Sequence, residues 1–438
     1  MEKIKNIKVL VPLEADIIHP GNINIIQNAK NLGSVVIGLY TDEAISKYKR
    51  VPILNYSQRK NIVESLKGVS EVIQLDSMDF SDTVKDLKPA YVVHGDDWRE
   101  GFFSNIRMKV INSLNQYGGE LIEPAYTKDV SASEIISQIN YMGITPEKRR
   151  KSLKKLLENK PYVRFIESHN GLTALIAEQT TVKDTDQLEK TFDGMWLSSL
   201  TVSTSKGMPD TELVDFSTRF QTIEEIMEVS TKPIIVDGDS GGEIEHFSAR
   251  VRTLERLGVS AVIIEDKVGL KRNSLFGTEL PQTQDTIENF SNKIIAGRNA
   301  RVTKDFMIIA RIESLILGAG QEDAIKRAKA YIKAGVDGVM IHSKDKSGDE
   351  IKLFCKNYNK IENKVYLVAV PSAYSHMKER ELSDLGINVI IYANHLIRSA
   401  YPAMVGTAKS ILKNERAKET SDKDCMSIKE IINLIPFS

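Results

Sequence analysis

The chain has 438 residues, and its 59 lysines and arginines balance its 59 aspartates and glutamates, so the formal net charge is zero. This balance excludes a protein that binds nucleic acid through a strong overall positive field. With 41% hydrophobic and 27% charged residues, the composition is that of a folded globular protein. At roughly 150 residues per domain, the length predicts two or three domains.

Cysteine content and hydropathy predict where the protein works. The two cysteines, Cys355 and Cys425, have no metal-ligand spacing and cannot form a disulfide framework, which favours a reducing compartment. No apolar run reaches the roughly 18 residues of a membrane span. Residues 1–13 have no cleavage-like site and are interpreted as a first strand rather than a signal peptide. We therefore expect a cytoplasmic protein without membrane or nucleic-acid partners.

The first part of the chain alternates between strand-like and helix-like stretches. Strand-like runs occur at 7–13, 35–39 and 91–94, and helix-like stretches at 22–32 and 56–66. Such alternation predicts a parallel sheet covered by helices. We expect a smaller doubly wound α/β domain over residues 1–140.

A basic segment, residues 145–160, follows this first domain. Leu153, Leu156 and Leu157 have the i, i+3, i+4 spacing of one helix face, and Pro146 suits a first helical turn. We interpret it as an amphipathic helix with a solvated basic face rather than a nucleic-acid patch. Residues 141–161 are predicted to be a linker and helix.

The remainder, residues 162–438, contains eight apolar runs of strand length, each followed by a stretch able to form a helix. These runs are 162–169, 192–199, 233–239, 261–267, 306–312, 338–343, 366–372 and 389–395. Several are almost continuously apolar, as buried parallel strands are. Eight such units predict a (β/α)8 barrel, an open doubly wound sheet being the alternative.

Charged residues recur where these predicted strands end, which is where parallel barrels form their active sites. Asp237, Asp239 and Glu265 would converge from neighbouring strands. Because uncompensated carboxylates repel one another, such a cluster of oxygen ligands predicts a bound hard cation such as Mg²⁺. The alternative is that each acid caps the following helix. Arg311 and His342 stand at two further strand ends, opposite this cluster. Since arginine and histidine bind anionic oxygens, their position predicts a site for a small, anionic, oxygen-rich substrate.

The loop over residues 268–277 has a glycine near each end and a polar middle. It suits a lid that closes over an anion and excludes water, the alternative being an ordinary surface loop. The stretch Glu265-Asp-Lys-Val-Gly-Leu-Lys-Arg-Asn-Ser274, together with Asp237-Gly-Asp239 and Met340-Ile-His-Ser343, closely resembles the phosphoenolpyruvate mutase family of the isocitrate lyase superfamily. The resemblance runs from about residue 162 to the end of the chain.

This resemblance implies a barrel enzyme that interconverts phosphoenolpyruvate and phosphonopyruvate with Mg²⁺, at the start of phosphonate biosynthesis. The roles it implies fall into three groups. Asp237, Asp239 and Glu265 resemble the metal-site acids; Trp196, Ser198 and Leu200 the substrate pocket; and Asp210, Lys271, Asn273, Ser274, Arg311 and His342 the catalytic residues. The superfamily also implies a homodimer or homotetramer with C-terminal helices packed across subunits, for which the helical stretch 428–435 is available.

Two relatives of that family remain as comparisons. Isocitrate and methylisocitrate lyases carry a cysteine in the loop, whereas the loop here contains Asn273 and Ser274, which disfavours carbon–carbon lyase activity. Phosphonopyruvate hydrolase differs at few pocket positions. The family resemblance implies threonine at position 273 in the hydrolase, so Asn273 favours the mutase and hydrolysis stays the alternative.

The N-terminal region resembles cytidylyltransferases of the nucleotidyltransferase superfamily. His19-Pro-Gly21-Asn22 stands where that family has HxGH, so Asn22 replaces the second histidine, and Tyr126-Thr-Lys-Asp-Val-Ser-Ala-Ser133 lacks the family's arginine and glycine. Since these groups stabilise charge at the transferred phosphate, we expect a degenerate cytidylyltransferase. An active CTP-dependent phosphonate cytidylyltransferase, a domain that only binds nucleotide, and a structural role with His19 as a helix cap are the alternatives.

Overall fold

The computed structural model of the protein describes residues 7–49, 51–101, 103–124, 145–183, 189–269, 271 and 282–435. Its N-terminal part contains a five-stranded parallel sheet with the strand order β3-β2-β1-β4-β5. In chain order the elements are β1 (Lys8–Leu13), α1 (Pro20–Leu32), β2 (Ser34–Tyr40), α2 (Asp42–Ser46), α3 (Tyr56–Glu64), β3 (Val69–Leu75), α4 (Ser81–Leu87), β4 (Tyr91–Val93), a short 3-10 helix (Asp96–Trp98), α5 (Phe103–Asn115) and β5 (Glu120–Ile122). The predicted doubly wound fold is confirmed.

The central strand of this sheet shows why both faces are covered. Val9 and Val11 pack into one apolar cluster and Leu10 into another, as the two-residue repeat of a strand requires. Strands β3 and β5 were not predicted from the sequence. They are the two edges of the sheet: β3 mixes apolar with polar residues and buries only Leu75, and β5 has no buried residue, so neither shows a strong apolar pattern.

The second part is a closed barrel with the strand order β10-β11-β14-β15-β16-β17-β6-β9. Its elements are α6 (Pro146–Asn159), β6 (Val163–Glu167), α7 (Gly171–Gln179), β7 (Thr181–Lys183), β8 (Glu189–Thr191), β9 (Gly194–Leu197), α8 (Ser199–Ser205), α9 (Phe216–Val229), β10 (Ile234–Asp237), α10 (Ile244–Leu257), β11 (Ala261–Glu265), β12 (Lys267–Val268), β13 (Thr283–Gln284), α11 (Ile287–Ala300), β14 (Met307–Ile312), α12 (Gly320–Ala334), β15 (Gly338–Ile341), α13 (Asp349–Tyr358), β16 (Tyr366–Ala369), α14 (Glu379–Asp384), β17 (Val389–Tyr392), α15 (His395–Asn414), α16 (Lys418–Lys423) and α17 (Ile428–Asn433). Each predicted apolar run contains one barrel strand, and all eight strands run parallel. The predicted (β/α)8 barrel is confirmed.

Alternate residues of each barrel strand separate two apolar layers. Side chains such as Phe165, Ile263 and Ile309 fill the barrel interior, whereas Ile264 and Ile308 pack outward against the helices. Because both faces are buried, the strands are mostly apolar until they reach their carboxyl ends, Arg164 in β6 being an exception. The polar residues that follow are therefore gathered at one end of the barrel.

Helix α6 closes the opposite end of the barrel. Leu153 and Leu157 pack with Phe165 and the other interior residues. The prediction of a solvated basic face is wrong for Arg149, which is buried and donates a hydrogen bond of 2.6 Å to the carbonyl of Ser230. The reason is that the loops before the barrel strands present carbonyl groups to this side of the helix.

The same helix also contacts the N-terminal part of the chain. The Ser46 hydroxyl donates a hydrogen bond of 2.5 Å to the carbonyl of Asn159, and Lys155 Nζ donates to the carbonyls of Pro52 and Ile53. Helix α6 thus joins the two parts of the protein through polar contacts on one side and apolar packing on the other.

Replacing Leu153 with alanine is expected to lower the free energy of unfolding by about 2–5 kcal/mol, because the side chain is fully buried and leaves a cavity. Denaturant unfolding followed by circular dichroism measures this change. The matched control is Leu172→Ala in α7, where the leucine is 52% exposed and the expected change is small. Equal effects of the two substitutions would contradict the packing of α6 against the barrel.

The C-terminal helices have a different character. Helix α15 contains no buried residue, and large apolar side chains of α15 and α17, including Leu412 and Ile428, are exposed. Across the residues described above, no helix combines the length and apolarity that crossing a membrane requires.

Candidate active site

The predicted acids lie together at the carboxyl end of the barrel. Asp237 is the last residue of β10, and its Oδ1 accepts a hydrogen bond of 3.1 Å from the backbone N–H of Asp239. Asp239 has a φ of 53°, a left-handed conformation uncommon outside glycine, which turns the chain sharply after the strand. The Ser199 hydroxyl, at the start of α8, donates a hydrogen bond of 2.5 Å to Asp237 Oδ2.

Three carboxylates converge on the ammonium group of Lys271. Its Nζ contacts Asp239 Oδ1 directly, and lies 3.2 Å from Asp210 Oδ1 and 3.5 Å from Asp237 Oδ2. Lys271 is 7% exposed although it belongs to the segment between β12 and β13. The structure therefore brings together four predicted site residues from three separate loops.

A buried arginine supports these acids from the side of the helices. Arg219 of α9 is 2% exposed; its Nη2 lies 2.6 Å from Asp239 Oδ2, and its Nη1 donates to the backbone carbonyl of Asp237 at 2.9 Å. Its guanidinium also lies over the Phe216 ring, 5.0 Å from the centroid. The sequence analysis missed Arg219, because nothing in a helical arginine indicates that it faces two acids on another strand.

A second charged cluster lies on the adjoining strands. Arg311 is paired with Glu265 in the strand register, and its Nη2 lies 3.4 Å from Glu265 Oε2. The same Nη2 is 2.8 Å from Nδ1 of His342, and Arg311 Nε donates a hydrogen bond of 2.5 Å to Glu313 Oε1. Lys267 Nζ lies 3.1 Å from Glu265 and 3.4 Å from Glu313.

Glu313 and Lys267 were not assigned to the site from the sequence, although a signal exists. Each follows a predicted site residue by two positions, Glu313 after Arg311 and Lys267 after Glu265. Residues two apart on an extended chain share a face. That periodicity, applied just past the strand ends, identifies both residues.

The site shifts the pKa values of Asp237 and Glu265 in opposite directions. Burial alone would raise the pKa of the Asp237 carboxyl, but Lys271 and Arg311 hold it below its ordinary value. Burial raises the pKa of Glu265 to about 7, and the neighbouring Glu313 adds to the effect despite Arg311. Thus Asp237 is ionised at neutral pH, whereas Glu265 is partly protonated there.

Burial also acts on the nitrogen groups of the site. It lowers the pKa of His342, and the positive charge of Arg311 lowers it further. The pKa of Lys271 is raised because the attraction of Asp237, Asp239 and Asp210 exceeds the effect of burial. At neutral pH the site therefore presents a neutral imidazole beside the Arg311 guanidinium, and a charged ammonium group at Lys271.

The donor set fits Mg²⁺, the metal that the resemblance implies. Asp237, Asp239 and Asp210 already meet at one cation, the Lys271 ammonium, and carboxylate oxygens are what Mg²⁺ prefers. Among the described side chains, however, no group of three His, Cys, Asp or Glu residues is arranged as a ready metal-binding cluster. Mg²⁺ needs only one or two direct carboxylates and keeps several waters.

The remaining predicted residues occupy distinct places. Trp196 belongs to the apolar cluster inside the barrel, Ser198 is the N-cap of α8, and Leu200 lies half-buried in the first turn of that helix. Asn273 and Ser274 lie outside the described residues, as does most of the predicted lid. Their roles stay predictions.

In the N-terminal sheet, His19 is the N-cap of α1, and its backbone N–H donates a hydrogen bond of 3.2 Å to the side chain of Asn22. Asn22 thus forms the capping-box hydrogen bond to the N-cap residue in the place where the cytidylyltransferase motif has a histidine. Gly21 is buried in the first turn of the same helix. The later motif, residues 126–133, lies outside the described residues.

Comparison with known proteins assigns the barrel. The sequence profile of the family described as phosphoenolpyruvate phosphomutase matches residues 153–412, more than half of the chain. The chain belongs to the phosphoenolpyruvate phosphomutase family. A second profile, described as cytidylyltransferase-like, matches residues 14–138 and supports the resemblance of the N-terminal sheet.

Two relatives and one solved structure are similar to this chain. Phosphonopyruvate hydrolase of Variovorax sp. (strain Pal2) is 35% identical over 65% of this chain and 94% of its own length. Phosphoenolpyruvate phosphomutase of Tetrahymena pyriformis is 32% identical over 64% of this chain and 89% of its own length. A crystal structure of phosphonopyruvate hydrolase in complex with oxalate and Mg²⁺ is 33% identical, with a TM-score of 0.58, covering 66% of this chain and 95% of that one.

Proposed function

We propose that the barrel is a phosphoenolpyruvate phosphomutase that interconverts phosphoenolpyruvate and phosphonopyruvate. The observation that carries the proposal is that the carboxylates around Lys271 and the cluster around Arg311 lie at the same end of the barrel. Asp237 and Asp239, held by Lys271, supply negative charge for a cation, and Arg311 with His342 supplies positive and neutral donors for an anion. Family membership supports the same reaction.

The chemistry asks little covalent help from the protein. The phosphorus–oxygen bond to the enolate oxygen breaks and a phosphorus–carbon bond to the methylene carbon forms, so atoms balance without a proton or a water molecule. Phosphoryl transfer of this kind is accelerated by positioning and by stabilising charge on the phosphoryl oxygens. The side chains required are therefore fixed cations and hydrogen-bond donors.

Each cluster then has a defined task. The Arg311 guanidinium binds the phosphoryl oxygens, and Glu313 holds its Nε so that the fork keeps one orientation. His342, kept neutral by burial and by Arg311, donates a hydrogen bond to the enolate oxygen. Lys271 neutralises the acids and adds a cation near the transferring group.

Asp237 and Asp239 would hold Mg²⁺, with Glu265 acting through water. When bound, Mg²⁺ supplies a Lewis acid that binds the pyruvyl oxygens and stabilises the enolate. We expect chelation with EDTA to abolish turnover and added Mg²⁺ to restore it, followed by phosphorus NMR. Full activity after exhaustive chelation would contradict the metal assignment.

Hydrolysis of phosphonopyruvate is the second candidate. It is favoured by the 35% identity to the Variovorax hydrolase, against 32% to the Tetrahymena phosphomutase. The two reactions differ in whether water reaches the transferring phosphoryl group. We propose that the loop that carries Asn273 decides this, because it is the predicted lid that excludes water.

Phosphorus NMR of the purified protein with phosphonopyruvate and Mg²⁺ distinguishes the two. A new phosphoenolpyruvate signal is expected for the mutase. Inorganic phosphate with an equal amount of pyruvate would replace the proposal with the hydrolase. Absence of reaction in a folded, Mg²⁺-loaded sample would contradict both.

We propose that the N-terminal region, residues 1–140, is a degenerate cytidylyltransferase. The Asn22 side chain, which replaces a catalytic histidine of that family, is engaged in capping α1. Calorimetric titration with CTP tests the proposal against its alternatives. Formation of pyrophosphate from CTP and a phosphonate would contradict it, whereas binding without turnover would make the domain a nucleotide sensor.

A further inference from the structure

Asp266 lies between two residues of the site, Glu265 and Lys267, but faces away from them. Its side chain is 0% exposed. Its Oδ1 accepts a hydrogen bond of 2.9 Å from the backbone N–H of Glu313, and its Oδ2 accepts one of 2.8 Å from the Tyr331 hydroxyl. The latter oxygen also accepts from Gln284 Nε2 at 3.0 Å and Arg327 Nη1 at 3.1 Å.

The backbone of Asp266 extends the same connection. Its N–H donates to the carbonyl of Arg311 at 3.1 Å, and its carbonyl accepts from the N–H of Asp285 at 2.9 Å. Asp266 is therefore bonded to both ends of the stretch Arg311-Ile-Glu313 and to the strand β13, which pairs with β12. A single residue fixes two segments that carry charged groups of the site.

We propose that Asp266 is a positioning residue, which holds the Arg311–Glu313 segment and the paired strands β12 and β13 at one fixed separation. The consequence for catalysis rests on the proposed function, in which Arg311 binds the phosphoryl group. Lys267, the first residue of β12, contacts Glu265 and Glu313 across this junction. A displacement of about 1 Å between such groups costs about 100-fold in rate.

Asparagine at position 266 keeps the shape but cannot satisfy the same partners. Both oxygens of the Asp266 carboxylate accept hydrogen bonds: Oδ1 from Glu313, and Oδ2 from Tyr331 and Arg327. In the amide one of these two oxygens becomes an NH2 group, which donates and leaves the donors on its side without an acceptor. Gln284 can rotate its own amide to compensate, but an arginine cannot accept a hydrogen bond. Asp266→Asn therefore loosens the junction while the surrounding apolar core stays intact.

Hydrogen exchange measures this loosening without reference to activity. In Asp266→Asn we expect the amide of Glu313 to exchange about 10- to 100-fold faster, because that amide loses its buried side-chain acceptor, whereas the amide of Asp285 keeps the backbone carbonyl of residue 266 as its acceptor. The matched control is Asp337→Asn at the other barrel end, whose carboxylate accepts from the N–H of Ile308 at 2.9 Å and pairs with Arg301. That control should accelerate exchange at Ile308 and leave Glu313 unchanged.

Kinetics separate positioning from general destabilisation. We expect Asp266→Asn to lower kcat about 100-fold with a much smaller change in KM, and the Asp337 variant to leave both near wild type. Tyr331→Phe, which removes one donor to Asp266 and leaves the ring in place, keeps the test valid if the asparagine variant fails to fold. It should accelerate exchange at Glu313 to a smaller extent.

The outcomes are distinct from those that test the reaction. Unchanged exchange at Glu313 in both Asp266→Asn and Tyr331→Phe would overturn the positioning role, whatever the wild-type protein catalyses. Faster exchange at Glu313 with kcat equal to that of the Asp337 variant would also overturn it. If the wild-type protein processes neither phosphonopyruvate nor phosphoenolpyruvate, the proposed function fails while the exchange result still tests the junction.

Discussion

Asp237→Asn is expected to lower turnover of phosphonopyruvate by about 100- to 1000-fold, the range seen when one preorganised electrostatic group is removed from a site. The Asp237 carboxylate accepts a hydrogen bond of 2.5 Å from the Ser199 hydroxyl and lies 3.5 Å from Lys271 Nζ. Asp237 is the last residue of β10, which pairs with β11, the strand that ends in Glu265. The amide keeps the size of the side chain but removes its charge. It therefore weakens both the hold on Lys271 and the attraction for Mg²⁺.

Initial rates from phosphorus NMR and Mg²⁺-dependent thermal stabilisation measure the two consequences. Asp193→Asn is the matched control, because Asp193 is also a buried acid with a cation partner, Lys160 at 2.5 Å, but lies at the other end of the barrel. The control should retain wild-type rates and the Mg²⁺ effect. An Asp237 variant within threefold of the control would remove Asp237 from the proposed mechanism.

Arg311→Lys is expected to lower turnover by about 100-fold, although the positive charge is retained. A lysine ammonium cannot reproduce the planar fork that contacts Glu313 through Nε and lies 2.8 Å from His342 through Nη2. The phosphoryl group would lose two-point binding, and His342 would lose the guanidinium nitrogen that lies 2.8 Å from its Nδ1. The loss should therefore appear mainly in kcat.

The matched control for this substitution is Arg301→Lys. Arg301 donates to Asp337 at 2.7 Å and to the carbonyl of Phe306 at 2.9 Å, away from the site. Steady-state kinetics and melting temperature of both variants are compared. Equal activity of the two lysine variants would show that a charge alone suffices at position 311, and would contradict bidentate phosphoryl binding.

The barrel could be predicted because its strands are buried on both faces. A run such as Ala261–Glu265 is apolar at every position but the last, so its location and its carboxyl end are both visible in the sequence. The edge strands β3 and β5 could not be predicted in the same way. β3 has one buried residue and β5 has none, and strands that are exposed to this extent carry too little apolar pattern to distinguish them from a loop.

The basic helix shows a further limit of pattern analysis. Its leucine spacing correctly predicted that Leu153 and Leu157 form a buried apolar face. Its many charged residues, however, suggested that Arg149 is solvated. Arg149 can be buried because the backbone carbonyls of Met227 and Ser230 accept hydrogen bonds from its guanidinium group. Such acceptors belong to no residue type, and a sequence does not display them.

The sequence by itself determined the positions of the barrel strands along the chain, the acids and cations at their carboxyl ends, and the family resemblance that these residues carry. Only the tertiary structure decided which of them meet. Lys271 reaches Asp210, Asp237 and Asp239 from a separate segment, and Arg219 reaches Asp239 from a helix. Those contacts depend on how far each loop and helix extends over the closed barrel. That distance is set by the packing of the whole chain, and the spacing of residues along one strand does not contain it.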